Sequence, residues 1–216
     1  MALYLDSARA GDARRSAALG FVSGITTNPT LLSKVGRPAA DVIAELCDIH
    51  PGIVFYQPVA STVAEREAEV RRIAGLRPGR IGLKLPSIPE NFALAARLSG
   101  EGLTVGMTAI FSPAQVYLAC MSGARYVLPY VNRSTRLLGD GPALVRSMRA
   151  VADAAGGRLE IVAASIKSPD EAVDAVLAGA HGLTLPLDLI EQLGRHALSD
   201  QTIAEFAESA RGIPAG

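Results

Sequence analysis

The stretch IGLKLPSIPENFALAARLSGEGLTVGM, residues 81–107, contains the fold in miniature. Its first segment, IGLKL (81–85), and its last, LTVGM (103–107), are short apolar runs, and between them NFALAARLSGEG (91–102) carries apolar residues at helical period. Two strands joined by a helix make a parallel crossover, and parallel strands covered on both faces read as near-continuous apolar runs. The same kind of run stands at LYLD (3–6), VSGIT (22–26), IVFYQ (53–57), YVLPY (126–130), EIVAA (160–164) and GLTL (182–185), eight in all. Helical stretches such as VAEREAEVRRIAGL (63–76), PALVRSMRAVADAAG (142–156) and SPDEAVDAVLAGA (168–180) separate them. Eight β-α units in 216 residues predict a single α/β domain over 1–216, a closed (β/α)8 TIM barrel, with a doubly wound sheet as the alternative. No GxGxxG or GxxxxGKS/T loop follows the first run, which removes the main support for a nucleotide-binding sheet.

Helix boundaries are equally readable. Ser112 before Pro113, and Ser168 before Pro169 with Glu171 three residues on, are helix starts; Ser199 or Asp200 opens a last helix over 199–211. Gly100, Gly123, Gly156 and Gly179 are expected to end helices in the left-handed conformation. Ile203 and Phe206 lie on the apolar face of the last helix, which is expected to pack on a neighbouring subunit.

Composition excludes several function classes. The formal charge is zero and charges are scattered, so no footprint for nucleic acid or an anionic membrane is expected. No apolar run approaches the ~18 residues of a membrane span, and the N-terminal MALYLDSARA lacks a basic-then-apolar pattern, so a cytoplasmic chain is expected. Cys47 and Cys120 stand alone as buried thiols, and His50, His181 and His196 have no carboxylate at ligand spacing, so neither a metal nor another cofactor is expected.

In a barrel of this kind reactive groups sit at the C-terminal ends of the strands. Those ends carry Asp6; Thr26, Thr27 and Asn28; Gln57; Lys84; Thr108; Tyr130, Asn132 and Arg133; and Ser165 with Lys167. Lys84 stands out because the chain has only three lysines against eighteen arginines, and because Leu83 and Leu85 flank it. If the leucines face the helices, period-2 alternation points the lysine into the lumen. There desolvation disfavours the ammonium and frees the lone pair needed to attack a ketone. A structural lysine paired with Asp6 is the competing reading, and it is the default for an isolated strand lysine. The neighbouring strand ends shift the balance: Asp6 is the one carboxylate among them, while Gln57, Thr108 and Tyr130 together suit a bound water, and either group can shuttle protons. Arg133 and Ser165 follow the sixth and seventh strands, where barrels tend to bind phosphate; for Arg133 alone a surface ion pair is about as good an account. Lys34 reads as a solvated helix-end residue.

The stretches LYLDSA, GITTNPTLL, LKLP, TAIFSPAQ, ARYVLPYVNR, VAASIKSP and TLPLDLIEQL, in this order, resemble the small transaldolase and fructose-6-phosphate aldolase family over nearly the whole chain. The resemblance implies a class I barrel in which Lys84 forms an imine with the dihydroxyacetone part of a sugar phosphate and Asp6 assists proton transfer. It assigns Asn28, with Thr26 and Asn132 in the same motifs, to substrate, Thr108 and Gln57 to a catalytic water, and Arg133 and Ser165 to the phosphate. It also implies a ring-like homo-oligomer, a pentamer or decamer. Transaldolases of the family look to carry glutamate at the position of Gln57 and commonly phenylalanine at that of Tyr130, so this chain resembles the aldolase branch. The expected activity is therefore aldol cleavage and formation of a ketose phosphate. Transfer of the same three-carbon unit between sugar phosphates, or action on a sulfonated analogue, is the alternative, and a catalytically silent anion-binding barrel is the remote one. Pro58 restricts the local backbone at Gln57, and Gly106-Met107 before Thr108 suggests a wider or differently shaped donor pocket.

Overall fold

The computed structural model describes residues 1–156 and 158–212. Eight parallel strands close into a barrel in sequence order: β1 Ala2–Asp6, β2 Gly24–Thr26, β3 Ile53–Tyr56, β4 Ile81–Pro86, β5 Val105–Ile110, β6 Tyr126–Pro129, β7 Glu160–Ala163 and β8 Gly182–Leu185. Register pairs Tyr4 with Gly24 and Thr184, Phe55 with Gly82, and Lys84 with Gly106, so inward positions of adjacent strands meet in layers. The helices that follow the strands are α1 Ala10–Leu19, α2 Pro29–Ser33, α3 Ala39–Ile49, α4 Val63–Ala74, α5 Pro89–Gly100, α6 Pro113–Met121, α7 Val131–Leu138, α8 Gly141–Ala154, α9 Pro169–Leu177, α10 Leu187–Gln192 and α11 Ala197–Ala210. The predicted closed barrel is the observed one.

Two separate apolar clusters express the strand alternation. Leu5, Ile25, Val54, Leu83, Leu85, Met107 and Leu185 point outward and pack with helix residues such as Leu46, Leu94 and Val116. Tyr4, Phe55, Tyr126, Leu128, Val162 and Ala164 point inward and fill the lumen. Leu83 and Leu85 are fully buried, each contributing about 1.5–3 kcal/mol by leaving water. A one-residue slip of β4 would forfeit that and turn Lys84 outward, so packing of the leucines fixes the direction of the lysine.

The lumen plug depends on two missing side chains. A Cβ on Gly82 would lie 2.6 Å from both Cδ1 and Cε1 of Phe55, and one on Gly106 would lie 3.2 Å from Cβ of Tyr126 and 3.3 Å from Cδ1 of Leu128. Phe55 fills this space and meets Tyr4 and Tyr126 edge-on at centroid distances of 5.9 and 5.2 Å. The expected widening at Gly106-Met107 is thereby corrected: aromatic and leucine side chains occupy the room at Gly106, and Met107 is wholly buried in the outer layer.

Two local expectations change. Gly100 is the last residue of α5, and the left-handed residue is Gly102 (φ 82°), whereas Gly123, Gly156 and Gly179 do adopt positive φ. The last helix starts at Ala197, because Nδ1 of His196 accepts a hydrogen bond from the Leu198 N–H at 3.2 Å and so caps it. No residue of α11 is buried, and Ile203 and Phe206 are both more than 60% exposed. Among the described residues no helix is long and apolar enough to cross a membrane.

Candidate active site

At the C-terminal mouth of the barrel a cleft of about 510 Å³ is lined by Asp6, Asn28, Gln57, Lys84, Tyr130, Arg133, Ser165, Lys167 and Thr184, with Pro29, Thr30 and Leu31 of α2 on one side. A cleft of similar size at the opposite end, around Arg125 and Arg158, receives none of these groups. The mouth is therefore where strand-borne polar groups converge, as barrel geometry requires.

Lys84 is the most buried lysine or arginine among the described residues. It is 4% exposed, and burial pulls its pKa below the ordinary lysine range, an effect partly opposed by the Asp6 carboxylate. Among the described residues no carboxylate lies within 4.0 Å of its ammonium, so the paired structural lysine is not what is observed. Burial without a close counter-ion favours a neutral amine, the form that acts as a nucleophile.

Asp6 is oriented by a chain of hydroxyls. Oγ1 of Thr26 donates to Oδ1 of Asp6 at 2.8 Å and lies 2.6 Å from Oγ1 of Thr184. A threonine hydroxyl has one proton, and Thr26 gives it to the carboxylate, so Thr184 must be the donor in the second bond. Thr26 is fully buried behind Asp6 and does not reach the cleft, whereas Thr184 does.

Asn28 and Pro29 start α2. Oδ1 of Asn28 accepts from the Leu31 N–H at 3.0 Å with proline in the first turn, leaving the amide NH2 on the cleft wall. Thr27 turns away and donates to the Phe55 carbonyl at 2.7 Å. Gln57 follows β3 directly, and its loop is pinned by Glu69, which accepts from the Tyr56 hydroxyl, from the Val59 N–H and, at 2.9 Å, from the Ala60 N–H. Oε1 of Gln57 and Oγ1 of Thr108 are both buried and find no hydrogen-bond partner among the described residues. Thr108 lies behind the cleft wall rather than on it.

The β5, β6 and β7 ends are shaped by two unusual backbones. Among the described residues Ala109 (φ 56°) and Ser165 (φ 62°) are the non-glycine residues in the left-handed region, and Ala109 coincides with a register shift between Thr108 and Ile110. Each conformation costs about 1–3 kcal/mol and tends to persist where a side chain must be aimed. Tyr130 is held edge-on by Phe111 at 5.7 Å, and the Arg133 guanidinium lies over its ring at 5.2 Å. Arg133 and Lys167 have no acidic side chain within 4.0 Å among the described residues, so the surface ion pair considered for Arg133 is not present. Asn132 leaves the cleft: its amide donates to Oε1 of Glu171 at 2.5 Å. Lys34 lies on an adjoining cleft beyond Asp6.

Seven of the ten predicted site residues thus share one cleft, and Thr26, Thr108 and Asn132 stand behind it. Sequence reading passed over Thr184, although it carries the signature that exposed Lys84: a polar residue between Leu183 and Leu185 in a strand. No group of three or more His, Cys, Asp or Glu side chains able to hold a metal ion is present among the described residues.

Residues 3–213 match the family model described as Transaldolase/Fructose-6-phosphate aldolase. The chain is 36% identical to a probable transaldolase of Caulobacter sp. (strain K31) over 212 residues, covering 98% of this chain and 97% of the relative. It is 36% identical to a probable transaldolase of Geotalea uraniireducens (strain Rf4), covering 99% and 100%. It is 37% identical to one of Symbiobacterium thermophilum, covering 98% and 99%. With a match of this length across a barrel whose mouth is built as described, the chain belongs to the transaldolase/fructose-6-phosphate aldolase family.

Proposed function

We propose that the protein is a Schiff-base aldolase acting on ketose phosphates, with Lys84 as nucleophile. The observation that carries this reading is a lysine buried at the foot of the cleft, its ammonium disfavoured, with the Asp6 carboxylate near enough to perturb it but not to pair with it. In the proposed course the neutral amine adds to the C2 carbonyl, and the carbinolamine loses water as its hydroxyl is protonated. The resulting iminium draws electrons from the C3–C4 bond while a base takes the C4 hydroxyl proton. An aldose phosphate departs, and the enamine left on Lys84 is protonated at C3 and hydrolysed to dihydroxyacetone. Asp6, oriented by Thr26, is assigned the proton transfers, and a water held by Gln57, Thr108 and Tyr130 is assigned the carbinolamine steps. The unpartnered Oε1 of Gln57 and Oγ1 of Thr108 support that placement. The free amide NH2 of Asn28 suits the donor hydroxyls, and Arg133, Ser165 and Lys167 suit the phosphate.

The neutral amide of Gln57, where a carboxylate would serve as a stronger acid/base, favours releasing the enamine over holding it for a second aldehyde. The names of the relatives favour the second reading, transfer of the three-carbon unit between sugar phosphates. Borohydride reduction with dihydroxyacetone or fructose 6-phosphate, followed by peptide mass mapping, tests both. An adduct on Lys84 is expected; its absence refutes the enzyme reading and leaves an anion-binding barrel. Release of glyceraldehyde 3-phosphate from fructose 6-phosphate without an acceptor aldehyde marks the lyase, and strict dependence on an acceptor marks the transferase. A homo-oligomer is part of the proposal, supported by the wholly exposed apolar face of α11.

A further inference from the structure

The barrel ladder stops short of the groups assigned to the anion. Tyr130 and Ala164 form the last bridge between the sixth and seventh units, closed by the Val131 N–H donating to the Ala164 carbonyl at 2.9 Å. Beyond it the chain turns into α7, which carries Asn132 and Arg133. On the other side it passes through the left-handed Ser165 to Lys167 and the start of α9. Among the described residues no backbone hydrogen bond ties these two segments together past that point. One side chain does: Oε1 of Glu171 accepts from Nδ2 of Asn132 at 2.5 Å, and Oε2 accepts from the Lys167 N–H at 2.7 Å. Glu171 is itself anchored, because its N–H donates to Oγ of Ser168 at 3.2 Å in the cap of α9.

We infer that Glu171 is a positioning residue for the anion subsite: by bridging the Asn132 amide and the Lys167 backbone, it sets Arg133 and Lys167 at the spacing that grips a compact divalent oxyanion. The inference rests on the assignment of Arg133, Ser165 and Lys167 to the substrate phosphate. Three features support it. Both partners of Glu171 are donors, so the bridge needs two acceptor oxygens and only a carboxylate of this length supplies them in one side chain. The residues it fixes are the immediate neighbours of Arg133 and of Ser165-Ile166, and Ile166 is buried, so a shift at Lys167 is transmitted to Ser165. The Glu171 carboxylate makes no ion pair with Arg133 or Lys167 within 4.0 Å among the described residues, so it orders the cations without neutralising them.

The polarity of the bridge provides its test. Glu171→Gln leaves one acceptor for two donors, and Asn132→Asp sets two carboxylates against each other. The double variant Asn132→Asp/Glu171→Gln rebuilds both bonds with the direction of the first reversed and the net charge unchanged. Binding of inorganic phosphate is followed by 31P NMR titration, which needs no turnover. KM and kcat are measured in parallel for condensation of dihydroxyacetone with glyceraldehyde 3-phosphate and with unphosphorylated glyceraldehyde. Each single variant is expected to weaken phosphate binding, and to raise KM for the phosphorylated aldehyde, by about tenfold. Kinetics with glyceraldehyde and kcat for both aldehydes are expected to stay within about twofold, and the double variant to bind phosphate within about threefold of the parent. Wild-type phosphate binding in both single variants, equal losses with both aldehydes, or a double variant as weak as the singles each overturns the inference. Failure of the imine assignment reads differently: borohydride then traps nothing on Lys84 in the parent, while the phosphate titration still reports on the bridge.

Discussion

Replacing Gly82 by alanine tests whether the lumen beneath Lys84 is filled as described. The added Cβ would sit 2.6 Å from two ring carbons of Phe55 and 3.1 Å from Cδ1 of Ile53, whereas carbon atoms pack best at about 3.5–4.0 Å. The ring must therefore move by about 1 Å. It is 1% exposed and wedged edge-on between Tyr4 and Tyr126. Overpacking a filled core costs about 1–3 kcal/mol, and loss of one edge-to-face contact adds about 0.5–1.5 kcal/mol. The smaller conformational freedom of alanine in the unfolded chain offsets about 0.4–1 kcal/mol, since Gly82 is not at positive φ. The net expectation is a loss of about 2 kcal/mol, read by urea unfolding, with a Tm lower by about 4–8 °C in a chain of this size. Gly106→Ala, whose contacts begin at 3.2 Å, is expected to lose less than about 1 kcal/mol. A double-mutant cycle with Phe55→Leu is expected to recover at least about 1 kcal/mol, because the two residues compete for the same space. Equal stability of Gly82→Ala and the parent within about 0.5 kcal/mol, or simple additivity with Phe55→Leu, would refute this account of the plug.

Lys84→Met is expected to abolish imine trapping while stabilising the fold at pH 7 by about 1–3 kcal/mol, since an unpaired buried polar head is replaced by an isosteric apolar one. The sign follows from burial: the native lysine pKa is lowered from 10.5, so the unfolded chain binds the extra proton between the native value and 10.5, and parent stability rises with pH across that window. The advantage of the variant should shrink across the same window in urea titrations, and a variant less stable than the parent at pH 7 contradicts the unpaired, desolvated lysine. Ser165→Gly is expected to relieve left-handed strain and raise stability by about 1 kcal/mol, whereas Ser165→Ala gains nothing. Both should weaken binding of a phosphorylated aldehyde, and calorimetry showing equal stabilities would argue against strain at Ser165. Gln57→Glu is expected to move partitioning from release of dihydroxyacetone toward transfer to an acceptor aldehyde, measured by product analysis; unchanged partitioning counts against the role given to Gln57.

What could be read from sequence divides along a physical line. The barrel was legible because buried parallel strands and crossover helices leave different periodicities, and Lys84 was legible because a cation between two leucines breaks one of them. Membership of the family was legible from the order of motifs such as TTNP and YVNR. Strand period says which face a residue occupies but is silent once the chain leaves the strand. Asn132 was therefore assigned to the cleft, although the first turn of α7 carries it toward Glu171. Thr26 stands at a strand end as expected, but its partners Asp6 and Thr184 come from strands 20 and 158 residues away. The left-handed backbones at Ala109 and Ser165 had no glycine to announce them.

The stack of Tyr4, Phe55, Tyr126 and Leu128 makes the barrel a cul-de-sac rather than a conduit. Access to Lys84 is by one doorway, the cleft that Arg133, Ser165 and Lys167 also line. Traffic is therefore last in, first out. On the proposed mechanism, the phosphorylated fragment, bound at Arg133, Ser165 and Lys167, must clear the doorway before a second molecule can approach the fragment tethered to Lys84. Under that proposal, the stopper at the bottom of the vessel imposes a two-stage exchange in which one product departs before the next reactant arrives, irrespective of whether water or an aldehyde ends the cycle.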